Sequence, residues 1–342
     1  MKALLLTAPG RLEIASLPEP RCGDDEVVVR VRACGICGSD VHGLDGSTGR
    51  RIPPLVMGHE AAGEVAAVGR AATRLQPGDR VTFDSTVWCG GCAYCRQGDV
   101  NLCENRQVLG VSCEEYRRHG AFAERVVVPE RICHRLPDAV SFEEAAMVEP
   151  VAVAVHAVRL AQPQPEEAAV VVGTGMIGLL VVQALRAAGL SRIVAVDVDP
   201  LRLEAARSCG ATATLLADAS DVVANVTAAA DGGAAIAVEC VGATAPVRTA
   251  LASLRKGGRL VLVGNVSPVI EWPLQTVVTR QLTVHGSCAS AGEYPRCLEL
   301  MAMGAIDVRP LISAMAPLEE GAAWFARLQR REPGLLKVML RP

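Results

Sequence analysis

Four cysteines, Cys89, Cys92, Cys95 and Cys103, stand together in the stretch CGGCAYCRQGDVNLC. Three chemistries use such a set: a disulfide framework, a thiol redox centre or a metal knot. The spacing C-x2-C-x2-C-x7-C, relaxed by Gly90 and Gly91, suits four thiolates around a tetrahedral zinc ion. An iron–sulfur cluster is the competitor, because close C-x2-C runs bind those as well. A site closed by four thiolates has no position left for a substrate, so its expected role is structural. Reactive chemistry must then come from other residues. A second set of metal-ligating types lies upstream and downstream: Cys37, Ser39, Asp40 and His42 in CGICGSDVHG, His59 and Glu60 in GHEAAG, and Glu149 in VEP. A catalytic zinc takes three protein ligands and keeps one position open. Cys37, His59 and a carboxylate would supply them. Cys34 and Cys37 also form a CxxC pair, but no thioredoxin-like strand–helix context surrounds it.

A third motif is Gly173-Thr174-Gly175-Met176-Ile177-Gly178, a GxGxxG. It follows a continuous apolar strand, opens a helix, and the next strand ends on Asp197, which together make the dinucleotide-binding context. The glycines permit the turn and the approach of a pyrophosphate to free N–H groups at the helix start. Asp197 is expected to accept from the adenosine ribose hydroxyls and to repel a 2′-phosphate, favouring NAD over NADP. Arg202 lies close by, among the first residues of the following helix, where it also reads as a surface residue.

The elements that must position these groups fall into three segments. Residues 1–150 read as β-rich, with EVVVRVRAC, EAAGEVAAVG, DRVTF and ERVVVP separated by Gly, Pro and Asp turns. A helix is expected from Ser141, where Ser141 and Glu144 form a capping box. From Ala168 strands alternate with helices, the pattern of a doubly wound parallel sheet. After about residue 286 the pattern is irregular and helical, ending in the strand LLKVMLR.

The chain has 342 residues, half of them hydrophobic, with a net charge of −3. Those figures describe a folded, two-domain protein and speak against nucleic acid or an anionic membrane as partner. No apolar run approaches the roughly 20 residues that span a bilayer, and no signal-peptide core is present. A cytoplasmic location is expected, where thiols stay reduced, and most of the other cysteines are read as small buried hydrophobes.

In GHEAAGEV, CGSDVH, the four-cysteine lobe and GTGMIG, which fall in family order, the chain resembles the zinc-dependent medium-chain dehydrogenase/reductase family over essentially its whole length. The resemblance implies a GroES-like β-barrel catalytic domain from residues 1–150 and 287–342, with the zinc lobe at 88–104, and a Rossmann domain at 151–286. It implies NAD and two zinc ions, one catalytic and one structural. Cys37 and His59 would be catalytic-zinc ligands, with Glu60 as a neighbouring or exchanging ligand. Ser39 would touch the substrate oxygen and His42 would end a proton relay. Alcohol dehydrogenases usually place a second cysteine where this chain has Glu149; EPVAVAVHA instead is similar to the sorbitol dehydrogenases, and Glu149 would ligate directly or through water. The implied reaction oxidises a secondary alcohol of a polyol or sugar alcohol to the ketone. Threonine 3-dehydrogenase and 2,3-butanediol dehydrogenase chemistry are the alternatives, and a catalytically silent NAD-binding protein is the alternative from another class. The pocket is expected to draw on 111–119, with Glu114, Glu115 and Tyr116, and on 287–294, where Ala289-Ser290 replaces an Arg-Tyr pair common in sorbitol dehydrogenases. Arg50, Arg51, Arg117 and Arg118 are the cations available should the substrate carry phosphate. A homo-oligomer, tetramer or dimer, is expected, with LTVHGS as its sheet edge.

Overall fold

Alternation of inward and outward side chains shapes the first unit. In the computed structural model, which describes every residue from Met1 to Pro342, strand Glu26–Gly35 buries Val27, Val29, Val31 and Ala33 while exposing Arg30 and Arg32. It pairs antiparallel with Glu60–Val68, Arg125–Pro129 and Lys337–Arg341. Arg80–Phe83, Cys133–Arg135 and Ile312–Pro317 complete a seven-stranded sheet. A three-stranded sheet, Arg11–Ser16, Lys2–Ala8 and Leu55–Val56, closes over the same core, in which Phe83, Phe122 and Phe325 are fully buried. This unit comprises Met1–Glu149, Tyr294–Ala302 and Val308–Pro342. Strand Ile312–Pro317, which runs parallel to the last strand, lies in a segment whose sequence reads as irregular and helical.

The second unit, Pro150–Glu293 and Met303–Asp307, follows from strands that are apolar on both faces. Ala168–Val172 and Ala234–Glu239 are buried at every position, as parallel strands covered by helices on both sides must be. Six parallel strands take the order Ala213–Leu216, Arg192–Asp197, Ala168–Val172, Ala234–Glu239, Leu254–Leu262, Thr283–Gly286. In sequence terms that order is 3-2-1-4-5-6, the doubly wound arrangement with its reversal beside the GxGxxG strand. LTVHGS supplies the edge strand Thr283–Gly286.

The helix expected from Ser141 is two helices. The Ser141–Glu144 capping box forms as read and starts Phe142–Ala146, which ends at Met147; a second helix runs Val148–Ala161. Pro150 explains the break. It has no N–H to donate and its ring crowds the carbonyl four residues back, so it is tolerated only in a first turn. The break sets Glu149 in the first turn of the second helix.

Candidate metal and cofactor sites

Cys37 is the N-cap of the short helix Gly38–Gly43, and its sulfur accepts from the Ser39 amide at 3.5 Å and the Ser39 hydroxyl at 3.3 Å. Sheet register brings the second pair of groups to it. Glu60 stands opposite Gly35, two residues before Cys37, and a Cβ on Gly35 would lie 2.4 Å from Glu60 Oε2. Ligand atoms of Cys37, His59 and Glu60 thereby come within 4.8 Å of one another. Sulfur, nitrogen and oxygen donors at that spacing fit zinc. His59 Nδ1 faces Asp40 Oδ1 at 3.5 Å, an ion-pair contact, and makes no hydrogen bond. That orientation leaves Nε2 as the nitrogen free to ligate. Burial would lower the His59 pKa, but the Asp40 carboxylate and the Cys37 sulfur beside it outweigh burial and raise it well above its ordinary value.

Two buried cations back this cluster. Lys337 Nζ donates to both oxygens of Glu60, at 2.6 and 2.8 Å, and to the Ile36 carbonyl at 3.3 Å; its register on the last strand, two residues before Met339 opposite Gly35, delivers it there. Arg51 Nη2 donates to Asp40 Oδ1 at 2.9 Å. Burial alone would raise the Asp40 pKa, yet the imidazole and the guanidinium hold the carboxyl down at about 2. Glu149 accepts from the Ser85 hydroxyl at 3.2 Å and stays outside the cluster of three. Burial pushes its pKa up, His59 opposes, and Glu60 adds to the rise. Ser39 and His42 are exposed on the helix that Cys37 caps.

The four-cysteine stretch folds into a knuckle around helix Ala93–Gln97, which Cys92 caps. The sulfurs of Cys89, Cys92, Cys95 and Cys103 lie within 4.8 Å of one another. Backbone amides point at them: Gly91 at Cys89 (3.4 Å), Cys95 at Cys92 (3.5 Å) and Cys89 at Cys103 (3.2 Å). Amide donation from Gly91 and Cys92 draws the Cys89 thiol down to about 6, while burial pushes Cys95 up to about 12. Four sulfurs, three of them accepting from amides, fit a closed zinc site and leave no open position. Cys95→Ser is expected to cost one zinc per chain and open the lobe to proteolysis near the exposed Gly98, because metal binding there is folding free energy. Zinc content and limited proteolysis check it; an intact lobe with full zinc would contradict it.

In the second unit, Gly175 is the N-cap of helix Met176–Ala187, and a Cβ placed on it would meet nothing within 4 Å, so the turn is open to an approaching group. Gly178 packs so closely on the strand end that a Cβ would lie 1.9 Å from the Gly173 carbonyl oxygen. Asp197, 6% exposed, accepts from the Thr174 amide (2.6 Å), the Thr174 hydroxyl (3.1 Å) and the Asp199 amide (3.0 Å). Its carboxylate is thus fixed at the end of its strand, beside the glycine turn, with acceptor capacity remaining for ribose hydroxyls. These groups fit a dinucleotide. Arg202 is exposed and pairs with Asp199 at 3.7 Å. Asp197→Asn removes the charge but keeps the shape. NADH affinity is expected to fall about tenfold or more, the worth of a charge-assisted hydrogen bond, and preference over NADPH to narrow. Fluorescence titration with both nucleotides checks this; unchanged affinity and preference would contradict it.

The expected substrate-pocket residues are less concentrated. Glu114 and Glu115 are exposed at the turn joining Val111–Ser112 to Arg117–Arg118. The Tyr116 hydroxyl accepts from the Val108 amide at 3.1 Å, so part of its capacity serves the backbone. Arg117 and Arg118 reach Ser112, Pro53, Gln107 and Glu26, and Arg50 is exposed. Ala289 takes a left-handed φ of 51° ahead of the buried Ser290. From sequence alone Asp40 carries no role, Arg51 is only a phosphate candidate and Lys337 goes unmarked. The signal for Lys337 was available: a lysine flanked on both sides by apolar residues in LLKVMLR needs a buried partner.

Comparison with known proteins bears on the fold and the family. Residues 23–138 match the alcohol dehydrogenase GroES-like domain, and residues 177–303 match the zinc-binding dehydrogenase family. The sorbitol dehydrogenase of Bacillus subtilis is 35% identical across 100% of this chain and 97% of its own. L-idonate 5-dehydrogenase of Vitis vinifera is 38% identical across 86% of this chain and 81% of its own. Among solved structures, an alcohol dehydrogenase from E. coli complexed with NADH superposes with a TM-score of 0.91 at 28% identity, covering 100% of this chain and 99% of that one. With both domain families matched in order and full-length relatives above 30% identity, the chain belongs to the zinc-dependent medium-chain dehydrogenase/reductase family, in its polyol dehydrogenase branch.

Proposed function

We propose that this NAD- and zinc-dependent dehydrogenase oxidises a secondary hydroxyl of a polyol or sugar alcohol to the ketone, with Cys37 and His59 as ligands of the catalytic metal. The cluster of Cys37, His59 and Glu60 carries this reading, because a mixed sulfur, nitrogen and oxygen set leaves a position open where four thiolates do not. Full-length similarity to a sorbitol dehydrogenase and an L-idonate dehydrogenase supports the substrate class.

Zinc bound there supplies a Lewis acid that makes a coordinated hydroxyl more acidic. The chain's residues do the rest. Ser39 Oγ, which now donates to Cys37 Sγ, would accept the substrate hydroxyl proton while releasing its own proton by way of the cofactor ribose to His42, exposed on the same short helix, which would pass it to solvent. Hydride leaves the carbinol carbon for the nicotinamide, so ketone, NADH and one proton balance the alcohol and NAD. Asp197 and the turn of Gly173, Gly175, Met176, Ile177 and Gly178 hold the dinucleotide's adenosine half and pyrophosphate, which fixes the direction of transfer. Glu60 answers to Lys337 in the arrangement seen, and Glu149 holds a buried carboxylate nearby for contact through water. Arg202, paired with Asp199, would meet the cofactor only at its adenosine end.

We assign residues 1–150 and 287–342 to the catalytic domain, with the zinc lobe at 88–104, and residues 151–286 to the NAD domain. A reducing, cytoplasmic setting suits a chain of thirteen cysteines, and no helix is long and apolar enough to cross a membrane. A homo-oligomer, dimer or tetramer, would use the edge strand Thr283–Gly286. The segment before that strand exposes Val266, Val269, Leu274 and Val278. Sedimentation as a monomer at micromolar concentration would contradict that assembly.

A smaller substrate, 2,3-butanediol or threonine, is the second reading, favoured by the Tyr116 hydroxyl serving the backbone and by Ala289-Ser290 in place of larger polar groups. A panel of sorbitol, xylitol, ribitol, galactitol, their phosphates, threonine and 2,3-butanediol separates the two. NADH formation with polyols supports the first reading; formation only with the diol or threonine moves the assignment to the second.

A further inference from the structure

Arg51 is 4% exposed and Asp40 is fully buried, so their ion pair sits away from water. An arginine hidden on a loop rich in glycine is costly unless its charge is used. Its guanidinium reaches one group only among side chains: Nη2 donates to Asp40 Oδ1 at 2.9 Å, Nη1 donates to the Arg50 carbonyl at 3.0 Å, and Nε is unpartnered. Asp40 in turn touches both members of the metal pair. Oδ2 accepts from the Cys37 amide at 3.4 Å, and Oδ1, the oxygen that Arg51 holds, faces His59 Nδ1 at 3.5 Å.

We infer that Arg51 is a positioning residue for the catalytic metal: it holds the Asp40 carboxylate in place, and through it orients Cys37 and His59 together. This rests on the assignment of those two residues as zinc ligands. A carboxylate buried without its guanidinium would turn, and then could neither face the imidazole nor accept from the Cys37 amide. Outer partners of this kind govern how tightly a ligating histidine holds its metal. Arg51 therefore acts on retention of one zinc and not the other, since the four-cysteine lobe draws its hydrogen bonds from its own amides.

The test uses holoenzyme carrying R51M, R51K, D40N or R51M with D40N, and follows zinc release to excess chelator with a zinc-sensitive dye. R51M is expected to speed release of one of the two ions about 10- to 100-fold, leaving the other at the wild-type rate. Joined to D40N, it should add nothing beyond D40N alone. Wild-type release from R51M with two ions bound, or effects that multiply in the double variant, would overturn the inference even if the thermal midpoint falls. Should R51M fail to fold, R51K carries the test: a single ammonium replaces a planar fork, so release must still quicken, and a wild-type rate would overturn the inference. A wild-type chain whose only zinc is lost with Cys95→Ser would instead overturn the ligand assignment beneath it.

Discussion

Cys37→Ser and His59→Ala are each expected to lower NAD-dependent turnover on the order of a thousandfold or more. The metal's Lewis acidity is worth several kcal/mol in the transition state, and each 1.4 kcal/mol is a factor of ten. Folding should survive both changes. Serine is a good N-cap, so Cys37→Ser keeps the start of helix Gly38–Gly43. His59→Ala leaves Asp40 still paired with Arg51, so no buried charge is stranded. NADH affinity, set in the other unit, should be unchanged, and one zinc should remain, in the cysteine lobe. Turnover near the wild-type rate in either variant would defeat the ligand assignment.

Lys337→Met carries the largest expected effect on stability. Lys337 is 3% exposed and Glu60 1%, and the two are joined by contacts of 2.6 and 2.8 Å. Removing one partner of a buried pair leaves an uncompensated charge, which costs about 3–5 kcal/mol. At roughly 2–4 °C per kcal/mol for a domain of this size, the thermal midpoint should fall by about 10 °C. Adding Glu60→Gln should restore much of the loss, because a neutral amide no longer needs the ammonium. A double variant as unstable as Lys337→Met alone would show that packing, not charge, is what Lys337 contributes. The pH dependence has a definite sign. Burial would lower the Lys337 pKa, but Glu60 and Cys37 outweigh it and raise it above 10.5. The pair's contribution is therefore complete below about 10.5 and is lost as pH rises through the higher value of the folded state. Wild type should lose stability over that alkaline range, and Lys337→Met should not show the same loss.

Much of this was legible in the residues themselves. Thiolate spacing announced the lobe, because four ligands must come from a short stretch to close a tetrahedron. The glycine turn and Asp197 were legible because a pyrophosphate demands that local geometry. The βαβ alternation gave the second unit for the same reason: strands covered on both faces leave a continuous apolar signature. What was not legible depended on register across long separations. Nothing local marks Arg51 as the partner of Asp40, and Lys337 meets Glu60 only because the last strand pairs beside Gly35. Strand Ile312–Pro317 was missed because its burial pattern is weak, with only Ala316 fully buried. The single helix read from Ser141 failed at Pro150, a breaker visible in the sequence but overridden by the apolar period around it.

The most direct test of the central claim is zinc-resolved turnover. The holoenzyme would be stripped in stages with a chelator, its remaining zinc counted, and NADH formation measured with sorbitol and xylitol at each stage. Activity is expected to vanish with the first equivalent of zinc lost, while the second stays in the lobe, and to return in proportion as that equivalent is restored. Undiminished NADH formation in chains that retain only the lobe zinc would contradict the account, because the chemistry would then not depend on the metal held by Cys37 and His59.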